Sequence, residues 1–275
     1  MLIDTHAHLN FKAYKNDADE VIRRSLKNNI WTINVGSQYS TSKRAVEIAE
    51  KYSQGVYVAI GLHPIHLETG LVKIKVDKEE INFKAFEEKF NYEKYKKLAQ
   101  SKKVIAIGEI GLDYYWRPKT TKKKELFKEK QRAGLCQQLN LAKEFNLPVI
   151  FHCRVAHDDL IEILKFQVSS FKFQGVIHCF TGTWKQAEKY LKIGLYLGFN
   201  GLIFKRDYGE IIKKMPLERI LLETDCPYLT PPSKEGRNEP LYIKDIAQKI
   251  AEIKNISFEK IAEITTQNAK KLFQI

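Results

Sequence analysis

The chain has 275 residues, 44% hydrophobic and 29% charged, with 46 lysines and arginines against 33 acids for a formal charge of +13. That length can bury one large core, so a single domain over residues 1–275 is expected; no run approaches 18 apolar residues and MLIDTHAHLNF lacks a basic segment followed by a long apolar one, which argues against a membrane partner or export and for the cytoplasm. The basic excess would draw a polyanion such as nucleic acid, yet most of it is lysine scattered through helical segments such as EKYKKLAQSKKV, so charge alone does not select that class.

The first apolar run, LID (2 to 4), leads into THAH, where His6 and His8 stand two apart and an extended backbone points both side chains to one side. A helical pattern, ADEVIRRSLKNN, separates it from WTINV (31 to 35), and TSKRAVEIAEKY separates that from VYVAI (56 to 60). GLHPIH then brings Gly61, His63 and His66. The 43 residues from 61 to 103 are expected to hold an additional helix on the active face. VIAIG (104 to 108) ends at Glu109, with Asp113, Tyr114, Tyr115 and Trp116 just beyond and a long helical pattern, KKELFKEKQRAGLCQQLNLAKEF, after them. PVIF (148 to 151) ends at His152, with Arg154 two further on, and GVI (175 to 177) ends at His178. TWKQAEKYLKI, GLYLGF (194 to 199), YGEIIKKM and RILLE (219 to 223) follow; Asp225 lies just past the last strand, with Glu223 one strand period below it to support the loops or a ligand. After PPSKEGRNEP, helices are expected over Leu241 to Ile253 and Ser257 to Phe273, with Pro240 suited to the first turn of one and Ser257 to the cap of the other.

Eight runs apolar on both faces, each followed by a helix, predict a parallel sheet covered by helices, and eight such units in this length fit a closed (β/α)8 TIM barrel. The C-terminal ends of barrel strands converge on one mouth, so His6, His8, Glu109, His152, His178 and Asp225 are expected to meet. His6, His8 and Asp225 form one ligand set and His152 and His178 a second pair; Glu109 can turn an oxygen to each, an arrangement for two divalent metal ions about 3.5 to 4 Å apart. Imidazole and carboxylate together suit Zn, Mn, Co or Ni better than Mg.

A water activated there would attack a carbonyl carbon or a phosphorus, with Asp225 orienting it and accepting its proton. His63 and Arg154, with His66, Lys205, Arg206 and Arg237 nearby, supply positive charge for a phosphate, and Asp113 would hold a basic group or a water. Tyr114, Tyr115 and Trp116 either stack on bases or pack the loop. These cations favour a phosphodiester; a hydrolase of a small amide, lactone or phosphoester is the alternative, and a DNA-binding module without chemistry would leave the ligand set unused. There is no P-loop and no GxGxxG, so no nucleotide cofactor is expected. Cys136, Cys153, Cys179 and Cys226 form no CxxC pair and read as reduced thiols, the last three packing behind the site.

The strings DTHAH, GLHP, IGEIGLDYY, FHCR, IHCFTG, ETDCPYLTP, RNEP and NAKKLF, in that order from end to end of the chain, resemble the TatD family of metal-dependent deoxyribonucleases. The resemblance implies a TIM barrel of the metallo-dependent hydrolase type that degrades DNA by 3′ to 5′ exonucleolytic removal and sometimes endonucleolytic cutting; the DNA partner would be single-stranded or duplex. It places His6, His8, Glu109 and Asp225 on one metal and Glu109, His152 and His178 on the other. His63, Asp113 and Arg154 would surround the phosphate, and the ions would be Mg or a relative. The chain departs from the family in PPSKEGRNEP, where Lys234 stands in place of the arginine many members carry before RNEP.

Overall fold

Each apolar run supplies all or part of a strand in the computed structural model, which describes residues 1–72, 87–168 and 173–275. β1 (Leu2–Ala7), β2 (Ile30–Val35), β3 (Val56–Ile60), β4 (Val104–Asp113), β5 (Val149–Arg154), β6 (Gly175–Ile177), β7 (Tyr196–Phe199) and β8 (Ile220–Leu222) pair in sequence order, every pair parallel. The sheet curls until its edges meet and the barrel is nearly closed. Past the end of β8, Ala7 bridges Cys226, the Asp225 N–H donates to the His6 carbonyl at 2.9 Å and the His8 N–H to the Cys226 carbonyl at 2.9 Å. Buried Asp4 ties the same seam, accepting from the Thr224 N–H at 2.9 Å and the Thr224 hydroxyl at 2.6 Å.

Alternation within the strands divides the apolar residues between two cores. At least one residue from each strand, among them Ile3, Ile33, Ala59, Ile150 and Leu221, joins an interior cluster closed by Leu272 and Phe273 near the chain end. Their neighbours along the strands, such as Leu2, Ile30, Val58 and Ile107, face the helices. The interior is therefore packed rather than hollow, and space for chemistry remains at the mouth.

The covering helices are α1 (Ala18–Lys27), α2 (Tyr39–Ala49), α3 (Tyr92–Ala99), α4 (Thr121–Phe145), α5 (His157–Val168), α6 (Trp184–Lys192), α7 (Gly209–Lys214), α8 (Ile243–Lys254) and α9 (Phe258–Phe273). Ser257 caps α9 by accepting from the Lys260 N–H at 3.2 Å, and Pro240 opens a 3-10 turn that feeds α8. Two expectations need correcting. The helix found between β3 and β4 is α3, which packs against α2, α4 and β3 as an ordinary crossover helix of the outer layer; residues 73–86 of the same expected insertion lie outside the described residues. β4 does not stop at Gly108 but runs on to Asp113 because it stays paired with β5 as far as Arg154, so Glu109 and His152 lie within strands. Among the described residues no helix is long and apolar enough to cross a membrane.

Candidate metal centre

Glu109 stands at the middle of the barrel mouth, 4% exposed. Its Oε2 lies 3.4 Å from His6 Nε2, while its Oε1 lies 2.6 Å from His152 Nδ1, 3.4 Å from His63 Nε2 and 3.5 Å from His178 Nε2. His6, His8 and Asp225 bring ligand atoms within 4.8 Å of one another, and so do His63, Glu109 and His152. His178 sits between the two groups, its ring stacked on His6 at 3.6 Å and 6.4 Å from His152.

Hydrogen-bond partners decide what each imidazole can do, because an acceptor on one nitrogen fixes the hydrogen there and leaves the other nitrogen a lone pair. His8 Nδ1 donates to the Val35 carbonyl at 2.8 Å, so its Nε2 faces the site as a ligand atom. His178 Nδ1 lies 3.0 Å from Glu223 Oε1, which leaves Nε2 toward Glu109. His152 is held between Asp113 Oδ2 on Nε2 at 3.1 Å and Glu109 on Nδ1. His63 differs. The Ile65 N–H donates to its Nδ1 at 3.1 Å, so the neutral ring carries its hydrogen on Nε2 and presents a donor to Glu109 or an incoming anion.

Divalent cations fit these residues. His6 Nε2 and His8 Nε2 approach to 3.1 Å, and two such lone pairs are held together by a cation or a proton between them. The protonation balance agrees. Burial would lower the affinity of His178 for a proton, but Glu223 and Glu109 raise its pKa to about 10. His152 is likewise opposed by burial but lifted to about 9 by Asp113 and Glu109. Burial would raise Glu109, yet His63, His178 and His6 hold it well below the usual carboxylate range. For Asp225, too, burial acts upward and is outweighed, chiefly by the bond from His8. His6, buried beside His178, is pushed down to about 4. Positive charge is thus drawn to a cluster whose ligand atoms point inward.

The centre opens into a cavity of about 500 Å³, a size ordinary for small-ligand sites. Arg154, Asp113, His63 and His66 line it with Arg206, while Phe11, Ile65, Trp116, Leu202, Tyr228 and Leu229 give it apolar walls. Arg154 is exposed and lies 3.7 Å over the Tyr115 ring. Tyr114 is buried and bonded to Asp159 at 3.0 Å, so of the three aromatic residues there it packs the loop. Arg237 is not brought to the cavity: its guanidinium pairs with Asp17 at 2.6 Å, bonds the Ala13 carbonyl and covers Tyr14 at 4.0 Å. Lys234 is engaged with Asp245 at 3.6 Å.

Sequence reasoning missed Asn200, buried at the end of β7, whose amide donates to Glu223 Oε1 at 3.1 Å. Its position past a strand end was the available signal. Glu223 also accepts from the Cys179 N–H at 2.6 Å, and a Cβ on Gly198 would come within 2.4 Å of its Oε2, so only glycine leaves room for this carboxylate. All four cysteines are free. Asp225 and Cys179 hold φ of 58° and 45°, left-handed conformations that few residues other than glycine adopt and that concentrate at functional sites.

The family model described as TatD related DNase matches residues 3–274. Over 282 residues, and the full length of both chains, the protein is 42% identical to a Bacillus subtilis protein described as an uncharacterized metal-dependent hydrolase, YabD. It is 30% identical, again over both full lengths, to a protein of Erwinia tasmaniensis described as the 3′-5′ ssDNA/RNA exonuclease TatD. Among solved structures, YjjV, a TatD homologue from Escherichia coli, superposes with a TM-score of 0.81 at 28% identity, covering 100% of this chain and 98% of that one.

Proposed function

The chain belongs to the TatD-related DNase family of metal-dependent hydrolases, and from that premise we propose that its cavity hydrolyses phosphodiester bonds in DNA, removing nucleotides from the 3′ end of a single strand, at two divalent ions. The observation that carries this reading is Glu109, one buried carboxylate with Oε2 toward His6 and Oε1 toward His152, His63 and His178. His6, His8, Glu109 and Asp225 would hold one ion and Glu109, His152 and His178 the other. Such ions supply Lewis acidity toward a water and toward the phosphate oxygens. Mg is the choice the family suggests, with Mn or Zn compatible with four imidazoles.

The remaining steps belong to this chain's own groups. Asp225, whose side chain is 16% exposed at the cavity wall, orients the attacking water and takes its proton at a carboxylate oxygen. As the new P–O bond forms the P–O3′ bond breaks, and the 3′ oxygen leaves as a hydroxyl with the proton returned by Asp225. His63 donates from Nε2 to a phosphate oxygen, a role its tautomer supports, and Arg154, at the end of β5 on the same cavity wall, neutralises the phosphate with its planar fork. Asp113 keeps the His152 ring turned toward Glu109. The barrel would act as one unit over residues 1–275, and four unpaired thiols agree with a cytoplasmic setting.

Cleavage of single-stranded and duplex DNA, each labelled separately at its 5′ and 3′ ends, tests the reading with chelator-stripped protein and Mg or Mn restored. A metal-dependent ladder shortening from the 3′ end, absent in His178→Ala, is expected. Intact DNA beside a metal-loaded site would overturn it in favour of a small amide, lactone or phosphoester substrate.

A further inference from the structure

Between the cavity and the first turn of α4 the chain reads YYWRPKTTKKK, residues 114 to 124, and the chemistry above uses little of it. Tyr115 and Trp116 are 52% and 45% exposed and meet edge to face at 5.1 Å. Arg154 caps the Tyr115 ring. The next residue, Val155, holds φ at 58° and is 58% exposed, a left-handed conformation that is unusual for a β-branched side chain and that core packing at so open a position does not require.

Charge gives the second observation. Arg117, Lys119, Lys122 and Lys123 are exposed and Lys124 half-buried, and among the described residues no carboxylate stands within ion-pair distance of any of them. Three of these lysines fill the first turn of α4, which contains no acid. Helix dipoles make that the unfavourable end for positive charge, so helix stability does not account for them. Arg117 and Lys124 line a second cavity, of about 430 Å³, whose wall includes Tyr114 and Val155, the chain neighbours of residues lining the first. Its acids are engaged by other cations: Asp159 by Arg132 at 2.8 Å, Asp158 by Lys189 at 3.8 Å and Glu125 by Lys128 at 3.9 Å.

We propose that the rim running from Arg154 over Tyr115 and Trp116 to the first turn of α4 is the track that carries a single DNA strand away from the metal cavity. Exposed rings offer π-faces to unpaired bases, and the unpaired lysines meet successive phosphates. Duplex DNA, its bases already stacked, would bind this rim less well. The inference rests on the DNA-hydrolase reading for the identity of its ligand.

The test is fluorescence anisotropy with metal-loaded protein and a labelled, hydrolysis-resistant phosphorothioate twelve-residue oligothymidylate, at several salt concentrations. Two variants of rim residues are compared with the unsubstituted chain, Tyr115→Ala and the triple Lys122→Gln, Lys123→Gln, Lys124→Gln. Each is expected to weaken binding about tenfold, as loss of a base-stacking ring or of several phosphate contacts does. Only the triple variant should flatten the salt dependence, by about 2 in log-log slope at ~0.7 per phosphate contact. Undiminished binding by both variants with an unchanged slope would overturn the track, as would no binding by the unsubstituted chain. Binding weakened in both variants but without metal-dependent cleavage of unmodified DNA would support the track and sink the proposed reaction instead, so the two failures are distinguishable.

Discussion

Glu223 has no exposed surface, and its Oε1 gathers His178, the Cys179 N–H and Asn200 while its Oε2 has no partner among the described residues. A carboxylate placed behind an imidazole in this way fixes the ring and raises its basicity toward a metal. Glu223→Gln keeps the volume and one acceptor but removes the charge, so divalent-ion affinity should fall about 10- to 100-fold. Competition against a chelating dye measures it; unchanged affinity would show that Glu223 only fills space. A second expectation concerns protons. His178 and His152 hold theirs up to about pH 10 and 9 in the metal-free site, and a metal requires both rings neutral. Ion binding at pH 7 should therefore release protons and tighten as pH rises toward 9, read by calorimetry in buffers of different ionisation enthalpy. Binding heats that do not depend on the buffer would contradict it. The six candidate ligands were legible because each stands at or just past the end of an apolar run. The groups that aim them were not. Val35 is joined to His8, and Asn200 to Glu223, only through the closed sheet, and no local pattern pairs residues so far apart in sequence.

The strands were legible to within a few residues, because runs apolar on both faces have little choice but a buried parallel sheet. Where they end was less so: β4 extends to Asp113 through its pairing with β5, a tertiary cause. α5 opens with His157, followed by Asp158 and Asp159, the charge that a helix N-terminus favours. His157 is 7% exposed, with Nδ1 3.1 Å from the Tyr190 hydroxyl and Nε2 3.3 Å from the Thr181 hydroxyl. Burial pushes its pKa down to about 4 from 6.5. A histidine depressed on folding is neutral in the native state while the unfolded chain takes up a proton, so stability is intact above pH 6.5 and is lost as pH falls toward 4. The loss is on the order of 3 kcal/mol, from about 1.4 kcal/mol per pKa unit. His157→Gln can keep the hydroxyl contacts without titrating, and its urea midpoint should fall less than that of the unsubstituted chain between pH 7 and pH 4. Parallel loss in both proteins would place the acid sensitivity elsewhere.

At the scale of the molecule the candidate ligands come from β1, β4, β5 and the segments just past β1, β6 and β8, so ions held there would tie the mouth across the seam where β1 meets β8. That seam has one ladder bridge, at Ala7 and Cys226, where every full strand pair has at least two, and is otherwise held by the neighbouring backbone bonds, the Thr5 hydroxyl donating to the Leu222 carbonyl at 3.0 Å and the Asp4 contacts to Thr224. A ligand that binds only the folded state stabilises it by mass action, about 2.7 kcal/mol at a hundred times its dissociation constant. For a domain of this size each kcal/mol shifts the melting temperature by roughly 2 to 4 °C. Metal loading at one site should therefore raise it by about 5 to 10 °C, and chelator should reverse the gain. The comparison that isolates the seam is Asp225→Asn against Asp113→Asn. Asp225 stands beside the bridge and would anchor an ion to β1 directly, whereas Asp113 acts through His152 on the far side of Glu109. Asp225→Asn should abolish most of the metal-induced rise seen by calorimetry and Asp113→Asn a smaller part. Equal rises in all three proteins would mean that the ions bind without bracing the barrel.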